Sequence, residues 1–181
     1  FKESNRYFDK AAPKVKKNEW YIIESVKEFK FCRYLIENNN SIRLMNVIST
    51  NQQIVEKSVC NEDVKKLENE CNNLLKCCHP CIQKVVGFYT PKNSLNSLLF
   101  TYYCDNSSLD NFIIENLSSK KNYEREKINE KTSTYNLHYQ IIYGVCNAMK
   151  YLEDKNMFHG NLNPSNILID KYNKPILNNI K

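Results

Sequence analysis

The segment FHGNLNPSNILID, residues 158–170, gathers polar side chains at a spacing that could form a site. It holds one imidazole and three amides, on His159, Asn161, Asn163 and Asn166. An amide oxygen accepts a hydrogen bond but is a negligible base, and one neutral oxygen is by itself a poor magnesium ligand. Taken alone, His159 predicts a structural histidine in a core. The amides therefore offer hydrogen bonding, without a base or a charge.

Composition limits the classes of function. The chain has 181 residues, of which 41% are hydrophobic and 25% charged, which predicts one globular domain or two small lobes. The formal net charge is +6, but the lysines are spread out and interleaved with acidic residues. A nucleic-acid interface would cluster its charge, so we expect no nucleic-acid partner. No apolar run approaches the length of a membrane span, and we expect no membrane association and a cytoplasmic location.

The eight cysteines lie inside periodic apolar segments, and we interpret them as reduced thiols. The stretch CCHPC, residues 77–81, resembles a metal motif. A structural zinc site usually needs two separated ligand pairs, and only His138 and His159 remain to complete one. We therefore predict no zinc site.

The elements that must position the 158–170 segment begin with strands. Residues 1–19 predict a linker or arm. WYIIESV, FKFCRYLIE and SIRLMNVIST predict strands, and NQQIVEKSV stays open between a fourth strand and a short helix. From Asn61 the apolar period becomes helical, and His79-Pro80 ends the helix. Its predicted buried face comprises Val64, Leu67, Cys71, Leu74, Leu75 and Cys78.

The rest of the chain predicts two more strands and then helices, which completes an α+β order. CIQKVVGFYT and SLNSLLFTYY predict the strand pair. SSLDNFIIENL predicts a helix with Ser107 or Ser108 as N-cap, followed by a polar loop over residues 118–133. Residues 134–156 predict a long helix. Its apolar stripe includes Leu137, Ile141, Val145, Ala148 and Leu152.

In this order, the segments resemble the eukaryotic protein kinase family in its serine/threonine form. Residues 159–166 are similar to the catalytic loop H-R-D-L-x-x-x-N, and residues 179–181 stand where D-F-G is expected. ENECNNLLKCCHPCIQKVVGFY resembles the helix that carries a paired glutamate, here Glu70, with its His-Pro turn. FTYYCDNSSLDNFI resembles the hinge. The hinge positions are the gatekeeper Thr101 and the connector Tyr102, Tyr103 and Cys104.

The resemblance implies a two-lobed fold. The N-lobe, residues 20–101, is expected to be an antiparallel sheet with the Glu70 helix. The hinge and a partial helical C-lobe would occupy residues 102–181, ending at the activation segment. His159 would then pack beneath the catalytic loop.

Against the family pattern, charges are missing where phosphoryl transfer needs them. Asn161 replaces the aspartate that accepts the substrate proton, and Asn163 replaces the lysine that faces the transferring phosphate. Asn166 is kept at one magnesium-ligand position, but Asn179 replaces the aspartate at the other. Gly160 stands where an arginine is usual. The resemblance therefore implies no intact catalytic residue and no confident metal ligand.

The strand lysine that pairs with the helix glutamate has more than one candidate. In one register Asn46 replaces it, in another Lys57 is that lysine, and Lys30 could reach Glu70 from a neighbouring strand. We lean towards Asn46. The glycine-rich loop is absent, and Glu28, Phe29, Lys30 and Phe31 are assigned to its place, with the two phenylalanines expected to plug the nucleotide cleft.

These departures favour a pseudokinase, a regulatory or scaffolding module with a protein partner and no required cofactor. Two alternatives stay open. One is a weak or atypical ATP-dependent kinase that binds ATP and Mg²⁺ weakly. The other is a non-functional remnant, in which Leu137, Ile141 and Leu152 would lack full cover because the C-lobe is incomplete.

Overall fold

The computed structural model describes residues 27–36, 39–60, 63–90, 96–120 and 129–181. The predicted strand WYIIESV lies outside them. The described residues divide into two compact units, those within 27–71 and 84–103 and those within 72–83 and 104–181. The strands are β1 Phe29–Ile36, β2 Asn39–Val47, β3 Gln52–Cys60, β4 Val85–Tyr89, β5 Asn96–Tyr102, β6 Ile167–Ile169 and β7 Pro175–Leu177. The helices are α1 Val64–Leu75, α2 Leu109–Lys120 and α3 Asn129–Asp154.

The first unit is built on an antiparallel sheet of five strands in the order β1-β2-β3-β5-β4. The stretch NQQIVEKSV is strand β3, which settles the choice left open between strand and helix. Strand β3 lies between β2 and β5, a central position to which its β-branched residues Ile54, Val55 and Val59 are suited.

One face of this sheet carries a buried apolar cluster. Met45, Ile54, Leu98 and Phe100 form a buried cluster, and the ring of Phe29 lies 4.8 Å from the ring of Phe100. These side chains share a face because successive residues of a strand point to opposite sides.

Helix α1 buries the face that its period predicted. Leu67, Cys71 and Leu74 are almost fully buried, Val64 and Leu75 are half-buried, and Cys78 lies beyond the helix and is exposed. Burial raises the pKa of the Cys71 thiol to about 11, so this cysteine is a core thiol and not a nucleophile.

The second unit contains α2, α3 and the two-stranded sheet of β6 and β7. A 3₁₀ helix, Pro164–Asn166, leads directly into β6. The prediction of a polar loop over residues 118–133 is wrong at both ends, since α2 runs to Lys120 and α3 begins at Asn129. Residues 121–128 lie outside the description.

Helix α3 packs closely against β7. A Cβ atom on Gly144 would lie 2.5 Å from Cγ of Pro175, so this glycine lets the helix backbone approach the strand. The expectation that Leu137, Ile141 and Leu152 lack full cover is wrong for Ile141 and Leu152, which are buried, while Leu137 is half-buried. Among the described side chains of this helix, Tyr139, Ile142 and Tyr143 are large, apolar and exposed.

Within the part of the chain that the structure describes, no helix is both long enough and apolar enough to cross a membrane.

Candidate functional site

The first unit holds an ion pair between strand β3 and helix α1. Lys57 Nζ lies 2.7 Å from Glu70 Oε2. Both side chains are largely withdrawn from solvent, with 29% of Lys57 and 12% of Glu70 exposed. This partial burial protects the pair from screening, so it fixes the strand and the helix to one another better than a surface pair would.

The lean towards Asn46 as the strand-lysine counterpart is wrong. Asn46 lies on β2, opposite Gln53 of β3 on one side and Lys30 of β1 on the other. It is Lys57 that reaches Glu70. Both RLMNVI and IVEKSV could be aligned with the V-A-I-K strand of the family, and it is the position of each stretch in the sheet that separates the two registers.

The assignment of Glu28, Phe29, Lys30 and Phe31 to a phosphate-binding loop is also wrong. Phe29, Lys30 and Phe31 lie in strand β1, opposite Val47, Asn46 and Met45 of β2. Phe29 packs on the sheet core, and Phe31 is 45% exposed. Residues 37 and 38, which join β1 to β2, lie outside the description.

The four predicted hinge residues end strand β5 and follow it. Thr101 is buried and pairs with Val55 of β3, and the backbone N–H of Tyr102 donates to the carbonyl of Lys84 at 3.3 Å. The hydroxyl of Tyr103 accepts from Arg33 at 3.5 Å.

Cys104, the last of these four residues, belongs to the second unit, whose longer segment begins there. Its thiol donates to Gln83 Oε1 at 3.8 Å, and burial raises its pKa to about 12. The thiol is therefore protonated and unreactive at neutral pH.

In the second unit, the 159–166 loop is shaped by its own backbone and by one cap. Gly160 has a φ of +72°, a conformation that costs little only for glycine. The side-chain oxygen of Asn163 accepts from the backbone N–H of Asn166 at 3.2 Å and so caps the 3₁₀ helix. Pro164 at the first helical position has no N–H that would need a partner.

The amides predicted at the site do come together. Asn163 Nδ2 donates to the backbone oxygen of Asn161 at 3.2 Å and to its side-chain Oδ1 at 3.3 Å. Asn166 Nδ2 donates to the same backbone oxygen at 2.8 Å. Ser165 was not among the predicted site residues, and its hydroxyl donates to Asn163 Oδ1 at 2.5 Å. The loop is thus held by hydrogen bonds among its own polar groups.

Residues 178–181 lie along this loop and are bound to it. The backbone N–H of Asn178 donates to the carbonyl of Asn166 at 3.0 Å, and that of Lys181 donates to the carbonyl of His159 at 3.1 Å. Between them, Asn179 Nδ2 donates to Asn166 Oδ1 at 2.6 Å, and Ile180 is fully buried.

The pair Asn166 and Asn179 does not fit a magnesium ion. The side-chain Nδ2 of Asn166 donates to the carbonyl of Asn161, so Oδ1 of Asn166 faces Asn179. Asn179 presents an N–H donor to that oxygen where a metal site would need a second oxygen. Neither group carries a charge, and among the described residues no cluster of three His, Cys, Asp or Glu side chains could hold a metal.

His159 is 99% buried beneath the loop, as its interpretation as a structural histidine anticipated. Its Nδ1 accepts from the backbone N–H of Asn161 at 3.4 Å. Burial lowers the pKa of His159 below the ordinary histidine value of 6.5. The ring is therefore neutral at pH 7 and supports the loop as a hydrogen-bond acceptor.

Comparisons with known proteins agree with this arrangement of elements. The family model for protein tyrosine and serine/threonine kinases matches residues 49–178. A receptor protein kinase-like protein of Arabidopsis thaliana is 27% identical to this chain over 116 residues. That match covers 64% of the chain and 15% of the plant protein, so the chain is similar to a small part of that relative.

Proposed function

We propose, on the premise that this chain belongs to the protein tyrosine and serine/threonine kinase family, that it is a kinase-like module that does not transfer phosphate. Such a module would act through binding, as a regulatory or scaffolding element with a protein partner, and the proposal places it in the cytoplasm. It would need no cofactor.

The observation that carries the proposal is the state of the 159–166 loop. At the position of the catalytic base, Asn161 offers an amide that cannot take a proton near neutral pH. Its Oδ1 is already engaged by Asn163, which itself replaces a lysine charge of the family pattern. Removal of one preorganised charge or donor typically costs about two to three orders of magnitude in rate, so losing several leaves little chemistry.

The test is phosphate transfer from ATP. The full chain would be incubated with labelled ATP, Mg²⁺ and a generic protein substrate, beside the variant Asn166→Ala. We expect label incorporation no higher than in a buffer control for either protein. Transfer by the unmodified chain that Asn166→Ala abolishes would overturn the proposal, because it would show a working site at this loop.

A second candidate, a weak or atypical kinase, is favoured by one observation. The ion pair between Lys57 and Glu70 is in place, and active kinases require its counterpart. Thermal unfolding with ATP and Mg²⁺ distinguishes the two. Metal-dependent stabilisation that is lost in Lys57→Met but kept in the matched control Lys30→Met would favour this candidate. If ATP stabilises neither the unmodified chain nor either variant, the result would favour the first candidate, a module that does not transfer phosphate.

A further inference from the structure

The contact between Asn166 and Asn179 has a consequence beyond the missing charge. In the family arrangement, the residues at these two positions are joined through metal ions that both of them bind. Here they are joined directly, by a hydrogen bond of 2.6 Å from Asn179 Nδ2 to Asn166 Oδ1. The bond runs between side chains that are 13 residues apart in the sequence.

We propose that this amide pair is a metal-independent latch, which fixes residues 178–181 on the 159–166 loop and excludes a divalent cation from the position between them. Asn179 is the positioning residue of the latch. The inference concerns the same loop as the proposed function and rests on it for the family assignment. Its test measures metal response and backbone protection, so the latch can fail while the loss of phosphate transfer stands, and the reverse.

The orientation of the latch is set from the Asn166 side. Asn166 is buried, with 6% of its surface exposed, and its Nδ2 donates to the carbonyl of Asn161 at 2.8 Å. Turning the Asn166 amide over would place an oxygen against that carbonyl and lose the bond. Oδ1 of Asn166 therefore remains an acceptor towards Asn179, and Asn179 must supply a donor.

The backbone around the latch reinforces it. Asn179 has a φ of +57°, a left-handed conformation that asparagine tolerates better than most residues. On either side, the N–H groups of Asn178 and Lys181 donate to carbonyls of the loop at 3.0 and 3.1 Å. The buried side chain of Ile180 holds the segment between these bonds. The segment is thus tied at three points without an ion.

The substitution Asn179→Asp distinguishes a hydrogen-bonded latch from a metal site at this position. Aspartate also tolerates a positive φ, so the backbone can be kept. Its carboxylate cannot donate, and it would face Asn166 Oδ1 as a second acceptor with a negative charge. The variant therefore loses the latch and gains the oxygen ligand that Mg²⁺ prefers.

The experiment is thermal unfolding of the full chain, with and without millimolar Mg²⁺ as the only added ligand. We expect the unmodified chain to show no more response than the control variant Asn156→Asp, which adds the same charge at an exposed residue whose φ is +54°. Asn179→Asp should unfold about 2–4 °C lower without metal and recover part of that loss with Mg²⁺. An unmodified chain that Mg²⁺ stabilises, with the response lost in Asn179→Ala, would overturn the proposal.

A second measurement covers the case in which Asn179→Asp does not fold. Asn179→Ala removes the donor without adding charge, and hydrogen exchange then reports on the segment itself. We expect the Lys181 and Asn178 amides to exchange about fivefold faster than in the unmodified chain, the loss expected for about one hydrogen bond. Unchanged exchange at both amides would show that Asn179 does not hold the segment.

Discussion

At the scale of single residues, the 159–166 loop shows how neutral side chains can preserve the conformation of a loop without supplying the charges that phosphoryl transfer needs. Asn161, Asn163 and Asn179 each stand where the family pattern has a charge, and each takes part in a hydrogen bond within the loop or to it. The shape of the loop therefore does not depend on the charges that phosphoryl transfer would need.

Gly160 supplies the first residue-scale prediction. Its φ is +72°, and a Cβ atom there would lie 3.0 Å from Cβ of Lys181. Gly160→Ala should therefore lower the free energy of unfolding by about 1 kcal/mol or more, because the left-handed conformation and the close approach both penalise a side chain. Urea denaturation measures the change.

A double-mutant cycle with Lys181→Gly separates the two causes. Removing the Cβ of residue 181 relieves the close approach but leaves the strained backbone of residue 160. We expect Lys181→Gly to recover only part of the loss caused by Gly160→Ala. If Gly160→Ala is as stable as the unmodified chain, residue 160 does not have the conformation described.

His159 supplies a prediction of pH dependence. Burial lowers its pKa in the folded chain below the value of 6.5 that it has when unfolded, and burial also lowers the pKa of His79. Below about pH 6.5 the unfolded chain therefore binds more protons than the folded chain, and stability falls as the pH falls. We expect the urea midpoint to decrease between pH 7 and pH 5.

A histidine substitution identifies the source of this slope. His159→Asn should make the midpoint less sensitive to pH over this range. Equal slopes for His159→Asn and the unmodified chain would contradict the assignment of a lowered pKa to His159.

Much of the site could be predicted at the residue scale because its spacing is local. The positions of Asn161, Asn163 and Asn166 follow from one short motif. The partner of Asn179 could not be predicted, since it depends on the return of the chain from β6 to β7. The strand lysine was misassigned for a related reason: two stretches could be aligned with the same family strand, and the strand pairing and the contact with Glu70 distinguish Asn46 from Lys57.

At the scale of elements, helix α3 and strand β7 meet at a position that the periodic pattern did not reveal. Gly144 lies in the helix interior, where glycine usually costs about 1 kcal/mol relative to alanine. Here the missing side chain makes room for Pro175, whose Cγ would lie 2.5 Å from an added Cβ. On the same helix, Ile141 and Leu152 are buried although they had been expected to lack full cover.

Gly144→Ala should therefore destabilise the chain in spite of its better helix propensity. Overpacking costs about 1–3 kcal/mol and the propensity gain is at most about 1 kcal/mol, so we expect a net loss of about 1 kcal/mol. The matched control is Asn147→Ala, an exposed position on the same helix, which should be neutral or slightly stabilising. A rise in stability for Gly144→Ala would contradict the packing described.

At the scale of the whole molecule, the α+β prediction and the kinase family are confirmed by the family match over residues 49–178. The chain forms two compact units, and each keeps a part of the family pattern. The first retains the ion pair of Lys57 and Glu70, whereas the second retains the loop without its charges. This asymmetry is the physical basis for proposing a fold that persists without its reaction.

Single-turnover phosphate transfer tests that claim most directly. The full chain, in excess over labelled ATP and with Mg²⁺ or Mn²⁺, would be followed for many hours for label on itself and on an added protein. The account predicts incorporation equal to that of a heat-denatured sample, with no difference between the unmodified chain and Asn166→Ala. Metal-dependent incorporation that exceeds the denatured control and disappears in Asn166→Ala would contradict it.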